Sequence, residues 1–219
     1  MKTILLVVWV LLGFVNTFSQ EKVILKSAFE QITKTSSEIL KIKPFRMTVT
    51  SETRANGKPQ KNTLSKTVIE VSANKRRFVN EKTSNEKTSK SEYIQIGGKA
   101  YSREDGGQWK ETKVFERTPL AESLKIIDEQ VEYKSLGTET LNNQTVNVYL
   151  KTSKSKRIDE ANNNQEILSV ESVKYWFDKD GALLKREMKR ENRIGELVFN
   201  FHIISLFEYD SSIQISDPK

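Results

Sequence analysis

The sequence predicts an α+β fold, mainly β: one large curved antiparallel sheet, with an N-terminal helix and a short mid-chain helix as its covers. Three observations carry this. Apolar residues recur at helical spacing only near the two predicted helices, and at a period of two almost everywhere else. Tight-turn signals separate consecutive extended runs, which favours an antiparallel meander. No helical pattern falls between the later strands, which argues against a parallel α/β sheet.

The chain has 219 residues. It opens with Met1-Lys2-Thr3, an unbroken apolar run from Ile4 to Val15, and then Asn16 to Gln20. One basic residue, a short apolar core and a small or polar exit form the three-part pattern of a secretory signal. The run falls short of the ~20 apolar residues that span a bilayer. Residues 1–20 are therefore expected to be a signal peptide, residues 21–219 a single domain, and the product periplasmic or secreted. No later segment is apolar enough to span a membrane. A disulfide framework and thiolate chemistry are both excluded, because the chain has no cysteine.

Val23, Leu25, Ala28, Phe29, Ile32, Ser36, Ile39 and Leu40 place one apolar stripe on a helix over 23–42. Pro44 then forces an extended start, and from Phe45 the period becomes two. Strands are expected over 45–50, 63–72, 76–83, 93–96, 99–103 and 108–114. The turns are Ala55 to Pro59, Gly97-Gly98 and Asp105-Gly106-Gly107. The Ser, Thr, Asn, Lys and Glu tract from Thr83 to Ser91 reads as a loop. Thr118-Pro119-Leu120 has the form of a helix start, a capping hydroxyl followed by proline at the first helical position. Leu120, Leu124 and Ile127 would line one side of that helix, which ends near Glu129.

Further strands are expected near 131–137, 144–153, 166–178, 182–192 and 194–208. A polar loop over 151–165 and the strong hairpin turn Asp178-Lys179-Asp180-Gly181 lie among them. Ile213 and Ile215 suggest a last short strand.

The charge pattern is interleaved. The formal net charge is +7, but stretches such as Lys185 to Glu191 alternate in sign, as on a solvated strand face. Together with the export signal, this argues against nucleic acid as a partner. The search for chemistry finds no catalytic residues. The single histidine, His202, has no Gly-x-Ser-x-Gly turn to serve. Composition excludes cysteine and multi-histidine metal sites, and no cofactor motif is present. The expectation is a protein that is not an enzyme and has neither metal nor cofactor. Ten Phe, six Tyr and three Trp sit in a chain that reads as one curved sheet, and the face under its helices is either a filled core or a lidded cavity for an acyl chain or other apolar ligand.

Several local patterns share an order with one family. A helix runs straight into Phe45-Arg46-Met47-Thr48-Val49, and a basic cluster precedes an aromatic at Lys75-Arg76-Arg77-Phe78. Gly97-Gly98-Lys99-Ala100-Tyr101 and Phe177-Asp178-Lys179-Asp180-Gly181-Ala182-Leu183 form two further hairpin patterns. In this order the chain resembles the periplasmic lipoprotein carrier and lipoprotein localisation-factor superfamily. Two features of that family are absent: a proline after the basic pair, and a closing Phe-x-Phe-x-Pro-Pro, in whose place stand Tyr209 to Pro218. The resemblance implies an incomplete barrel whose helices lid an apolar cavity. It implies a lipid or lipoprotein acyl chain as partner, exchanged by opening of the segment near 118–129. The expected cavity residues are Phe45, Met47, Phe78, Trp109, Leu124, Phe199 and Phe201, with Arg76 or Arg77 as the gate. The alternative is an envelope structural or interaction protein with a solid core, whose sheet edges or basic loops meet a protein partner.

Overall fold

A computed structural model describes residues 21–56, 58–84, 87–114, 124–159 and 163–218. The predicted signal segment and the predicted helix start at Thr118-Pro119 lie outside the described residues.

A two-residue strand, β1 (Lys22–Val23), leads into helix α1 (Lys26–Ile42). Strands β2 (Phe45–Ala55), β3 (Lys58–Ser72), β4 (Lys75–Ser84), β5 (Lys87–Ile96), β6 (Lys99–Glu104) and β7 (Lys110–Thr112) follow. The second half supplies β8 (Leu124–Leu141), β9 (Gln144–Asp159), β10 (Gln165–Phe177), β11 (Leu183–Ile194) and β12 (Leu197–Tyr209). All twelve form a single sheet in the order β1-β8-β9-β10-β11-β12-β2-β3-β4-β5-β6-β7. Each described pairing is antiparallel. The two halves join where β12 pairs with β2, with Tyr209 opposite Phe45. The sheet stays open, and short strands at both ends blunt its edges.

Tight turns set the register. Asn142 and Asn143 both hold positive φ between β8 and β9, the geometry a two-residue hairpin needs to match strand twist. In the β10–β11 turn, the Asp178 carboxylate accepts the backbone N–H groups of Asp180 (2.9 Å) and Ala182 (2.8 Å).

Alternation places Phe45, Met47 and Val49 on one face with Ile69, Val71, Phe78, Tyr93, Phe207 and Tyr209, their cross-strand neighbours. Helix α1 covers this face. Phe29, only 5% exposed, sets its ring among Tyr133 (4.8 Å), Tyr175 (5.3 Å) and Tyr149 (6.4 Å). The outer face is held by side chains instead. Val146, Val148 and Trp176 form a small core there, and the Trp176 indole donates to Glu139 at 2.7 Å.

Four expectations are corrected. Residues 124–129 are strand rather than helix: β8 pairs with β9 from Leu124 onward, with an irregularity between Ile126 and Asp128. Ladder pairing overrides the helical spacing of the leucines there. The tract 83–91 is mostly ladder, with Thr83 opposite Thr88 and Ser84 opposite Lys87; serine and threonine suit a strand exposed on both faces. The expected loop over 151–165 is likewise shorter, since β9 runs on to Asp159. Ile213 and Ile215 form no strand, yet both are buried.

Candidate apolar ligand site

Helix α1 crosses the sheet. Its N-terminal half rests on β8, β9 and β10 through Phe29, while its C-terminal end reaches β2 to β5. Between that end and the sheet lies a cavity of about 600 Å³, walled by Leu40, Phe45, Ile69, Val71, Phe78 and Tyr93, with Lys41, Arg76 and Gln95 also lining it. Its size is that of small-molecule sites, which run to several hundred Å³. Phe45 packs at 6.4 Å from both Phe207 and Tyr209, and Phe78 at 5.8 Å from Tyr93, edge-on. The lining is thus mixed: aromatic and aliphatic side chains share it with Lys41, Arg76 and Gln95.

Of the residues singled out from sequence, Phe45, Phe78 and Arg76 border this cavity. Met47 is the next same-face position along β2, opposite Ile69 and Phe207. Phe199 and Phe201 occupy same-face positions further along β12, opposite Ala55 and Thr53. Leu124 stands at the first position of β8, on a strand and not on a lid.

Two residues belong to the other face. Arg77 alternates with Arg76 and Phe78, so it leaves the cavity and enters an ion ladder across the outer face. Arg46 pairs with Glu70 (2.7 Å), Glu70 with Arg77 (3.4 Å), Arg77 with Glu92 (2.8 Å) and Glu92 with Arg103 (2.7 Å). Trp109 ends this ladder, with the Arg103 guanidinium 4.5 Å from its ring centre. The Arg77 guanidinium is held above its ordinary range, chiefly by the hydrogen bond to Glu92.

Sequence reading missed the ladder and its cover. The C-terminal segment after β12 lies over β4 and β5, where Ile215 and Asp217 meet Arg77, Ile94 and Trp109. Lys75 Nζ fastens it, donating to the Ile215 carbonyl (3.2 Å) and pairing with Asp217 (2.8 Å). Part of the signal was present: Arg46 alternates opposite to Phe45, Met47 and Val49, but Glu92 shares its face with Ile94, and Arg103 with Tyr101.

A second groove, about 480 Å³, runs over the outer face beside Glu52, Lys189, Asn200 and His202. His202 Nε2 lies 2.9 Å from Glu187 there. No second layer roofs this groove among the described residues. No group of three or more His, Asp or Glu residues is placed to hold a metal among the described residues. No described helix is long and apolar enough to cross a membrane.

No family model matches the chain, and no curated protein does. Among solved structures it is similar to the Mycobacterium tuberculosis lipoprotein LppX, at 10% identity and a TM-score of 0.44. That similarity covers 88% of this chain and 100% of the other.

Proposed function

We propose that the protein is an exported binding protein that holds an acyl chain, free or lipoprotein-borne, beneath helix α1 and performs no covalent chemistry on it. The observation that carries this reading is the cavity walled by Phe45, Ile69, Val71, Phe78 and Tyr93. Apolar walls on a sheet stabilise an apolar guest by removing its surface from water. The three-part pattern of residues 1–20 supports export. Exchange then requires movement of α1, which is anchored at its N-terminal end by Phe29 and stands off the sheet at its C-terminal end.

The test is native mass spectrometry of the protein purified from the envelope of its own cells, followed by organic extraction and by rebinding of a fluorescent fatty acid. The expected result is a lipid-sized mass that extraction removes, together with saturable rebinding. A bare mass with no rebinding overturns the reading.

A second reading has one observation in its favour. Beyond β1 and Ile24, whose N–H donates to the Tyr133 carbonyl (3.0 Å), no described residue pairs with the outer edge of β8, and Ile126, Ile127 and Val131 are exposed along it. Such an edge accepts a partner strand. An envelope protein that co-purifies with the bare chain, and is lost from a Val131→Pro variant, would support this reading over the first.

A further inference from the structure

Three polar atoms are buried in or beside the contact between α1 and the sheet with no hydrogen-bond partner: Ser36 Oγ, Ser205 Oγ and Arg186 Nε. Ser36 is 4% exposed and Ser205 only 1%. Burying a donor without a partner is unfavourable, and a half-buried cation without an anion more so. The protein avoids this elsewhere. Arg46, Arg77, Arg103 and Arg190 each hold a carboxylate. Arg186 makes no hydrogen bond or ion pair among the described residues. Arg157 Nε is unpartnered too, but no unpartnered hydroxyl adjoins it.

Two of the three groups are neighbours by construction. Arg186 and Ser205 are directly opposite on β11 and β12, hence on one face and neighbours. Arg186 is also opposite Tyr175 on β10, whose ring packs at 5.3 Å from Phe29 of the helix. Burial pushes the Tyr175 phenol up and the Arg186 charge opposes it. Ser36 follows Phe29 by two helical turns on the same side of α1, ~10 Å along its axis. Ser205 is opposite Val49, and ~13 Å further up β2, past Met47, stands Phe45 at the cavity.

The geometry points to a headgroup seat: Arg186 and Ser205 bind the carboxylate of a long-chain fatty acid whose chain runs under α1, past Met47, into the Phe45–Phe78 cavity. The seat rests on the proposed acyl-binding function and adds the charge of the ligand to it. A carboxylate matches the donors, since its two oxygens accept the guanidinium fork and the Ser205 hydroxyl. One negative charge answers one cation. A phospholipid presents the same single charge but brings glycerol and a second chain to a place where Ser205 is closed off.

The experiment is calorimetric titration of the purified protein with palmitate, methyl palmitate and dipalmitoyl phosphatidylglycerol. Palmitate is expected to bind about tenfold tighter than its methyl ester or more, the size of a hydrogen-bonded charge pair. Arg186→Gln is expected to bring palmitate down to the ester's affinity and leave the ester unchanged. Arg186→Lys keeps part of the preference, and Ser205→Ala loses several-fold for palmitate alone. Equal binding of acid and ester, unmoved by Arg186→Gln, overturns the seat and leaves the apolar cavity standing. Tighter binding of the phospholipid overturns the carboxylate in favour of a lipid phosphate. Binding of none of the three overturns the cavity and the seat together. Should Arg186→Gln fail to fold, the acid–ester comparison in the unaltered protein and in Ser205→Ala decides alone.

Discussion

Gly181 lies directly beneath Thr35: a Cβ built on it would stand 2.9 Å from the Thr35 Cγ2. The Thr35 side chain therefore seats helix α1 on the Gly181 backbone of the β10–β11 turn, in addition to the Phe29 ring on the tyrosines of β8–β10. Gly181 has a φ of +87°, so any side chain there is strained by its own backbone and by the helix at once.

Gly181→Ala is expected to destabilise the protein by about 2 kcal/mol, combining backbone strain with the clash. Urea unfolding measures it. Thr35→Ala in the same chain should return the steric part and leave the backbone part. A double-mutant cycle with no coupling would show that the helix does not rest on the turn.

Glu92 sits at the centre of the outer-face ladder with a side chain only 3% exposed. Burial pushes its carboxyl up, but the hydrogen bonds from Arg77 and Arg103 outweigh burial and hold it below the ordinary 4.5. A depressed folded-state value contributes stability that is present above pH 4.5 and is lost as pH falls through the folded value. Stability is therefore expected to decline on acidification below pH 4.5. Glu92→Gln should flatten that decline and lower stability at neutral pH by about 2 kcal/mol, the worth of hydrogen bonds to a charged group. An unchanged acid limb in the variant would assign the decline to Glu139 and Glu187, which are lowered in the same way.

Tyr209 governs the alkaline side. Burial and the nearby Asp178 charge push its phenol up to about 12. The protonated form is the one the fold favours, so its contribution is complete below the ordinary 10.0 and is lost as pH rises from there through about 12. Ultraviolet titration is expected to show a late ionisation from Tyr209 and from Tyr175, whose phenol is also raised. Tyr209→Phe removes the late step and the hydrogen bond to the Leu183 carbonyl (3.1 Å), at a loss of about 1 kcal/mol. A tyrosine spectrum that titrates in one step near pH 10 would refute the burial of Tyr209.

Much of this was legible in residue order. The period-two runs and the Asp178 to Gly181 turn define the strands because each is a local signal, and Phe45 and Phe78 fall on one face by alternation alone. The misread segments are those where pairing decides. Leu120, Leu124 and Ile127 have helical spacing, but β9 offers Leu124 and Ile126 a ladder that no window of sequence contains. Trp109 looked like a cavity wall because aromatics are costly to expose, yet Arg103 and the C-terminal segment cover it on the outer face. The Arg186–Ser205 pair was invisible for the same reason: neither residue is unusual until β11 and β12 set them side by side.

The sign of one stability change separates a cavity from a filled core. Ile69 faces Met47 on β2 and Phe78 on β4 and borders the cavity under Leu40. In a close-packed interior, replacing it with tryptophan forces neighbours off their rotamers and costs about 1–3 kcal/mol. In a cavity of about 600 Å³ the indole enters open space, and filling such space commonly adds about 0.5–2 kcal/mol. Ile69→Trp is therefore expected to leave stability equal or higher in urea unfolding while weakening fatty-acid binding about tenfold, since guest and indole compete for the same volume. A loss of stability above about 1 kcal/mol with fatty-acid binding unchanged would mean that the region under α1 is packed and that the acyl chain does not enter it.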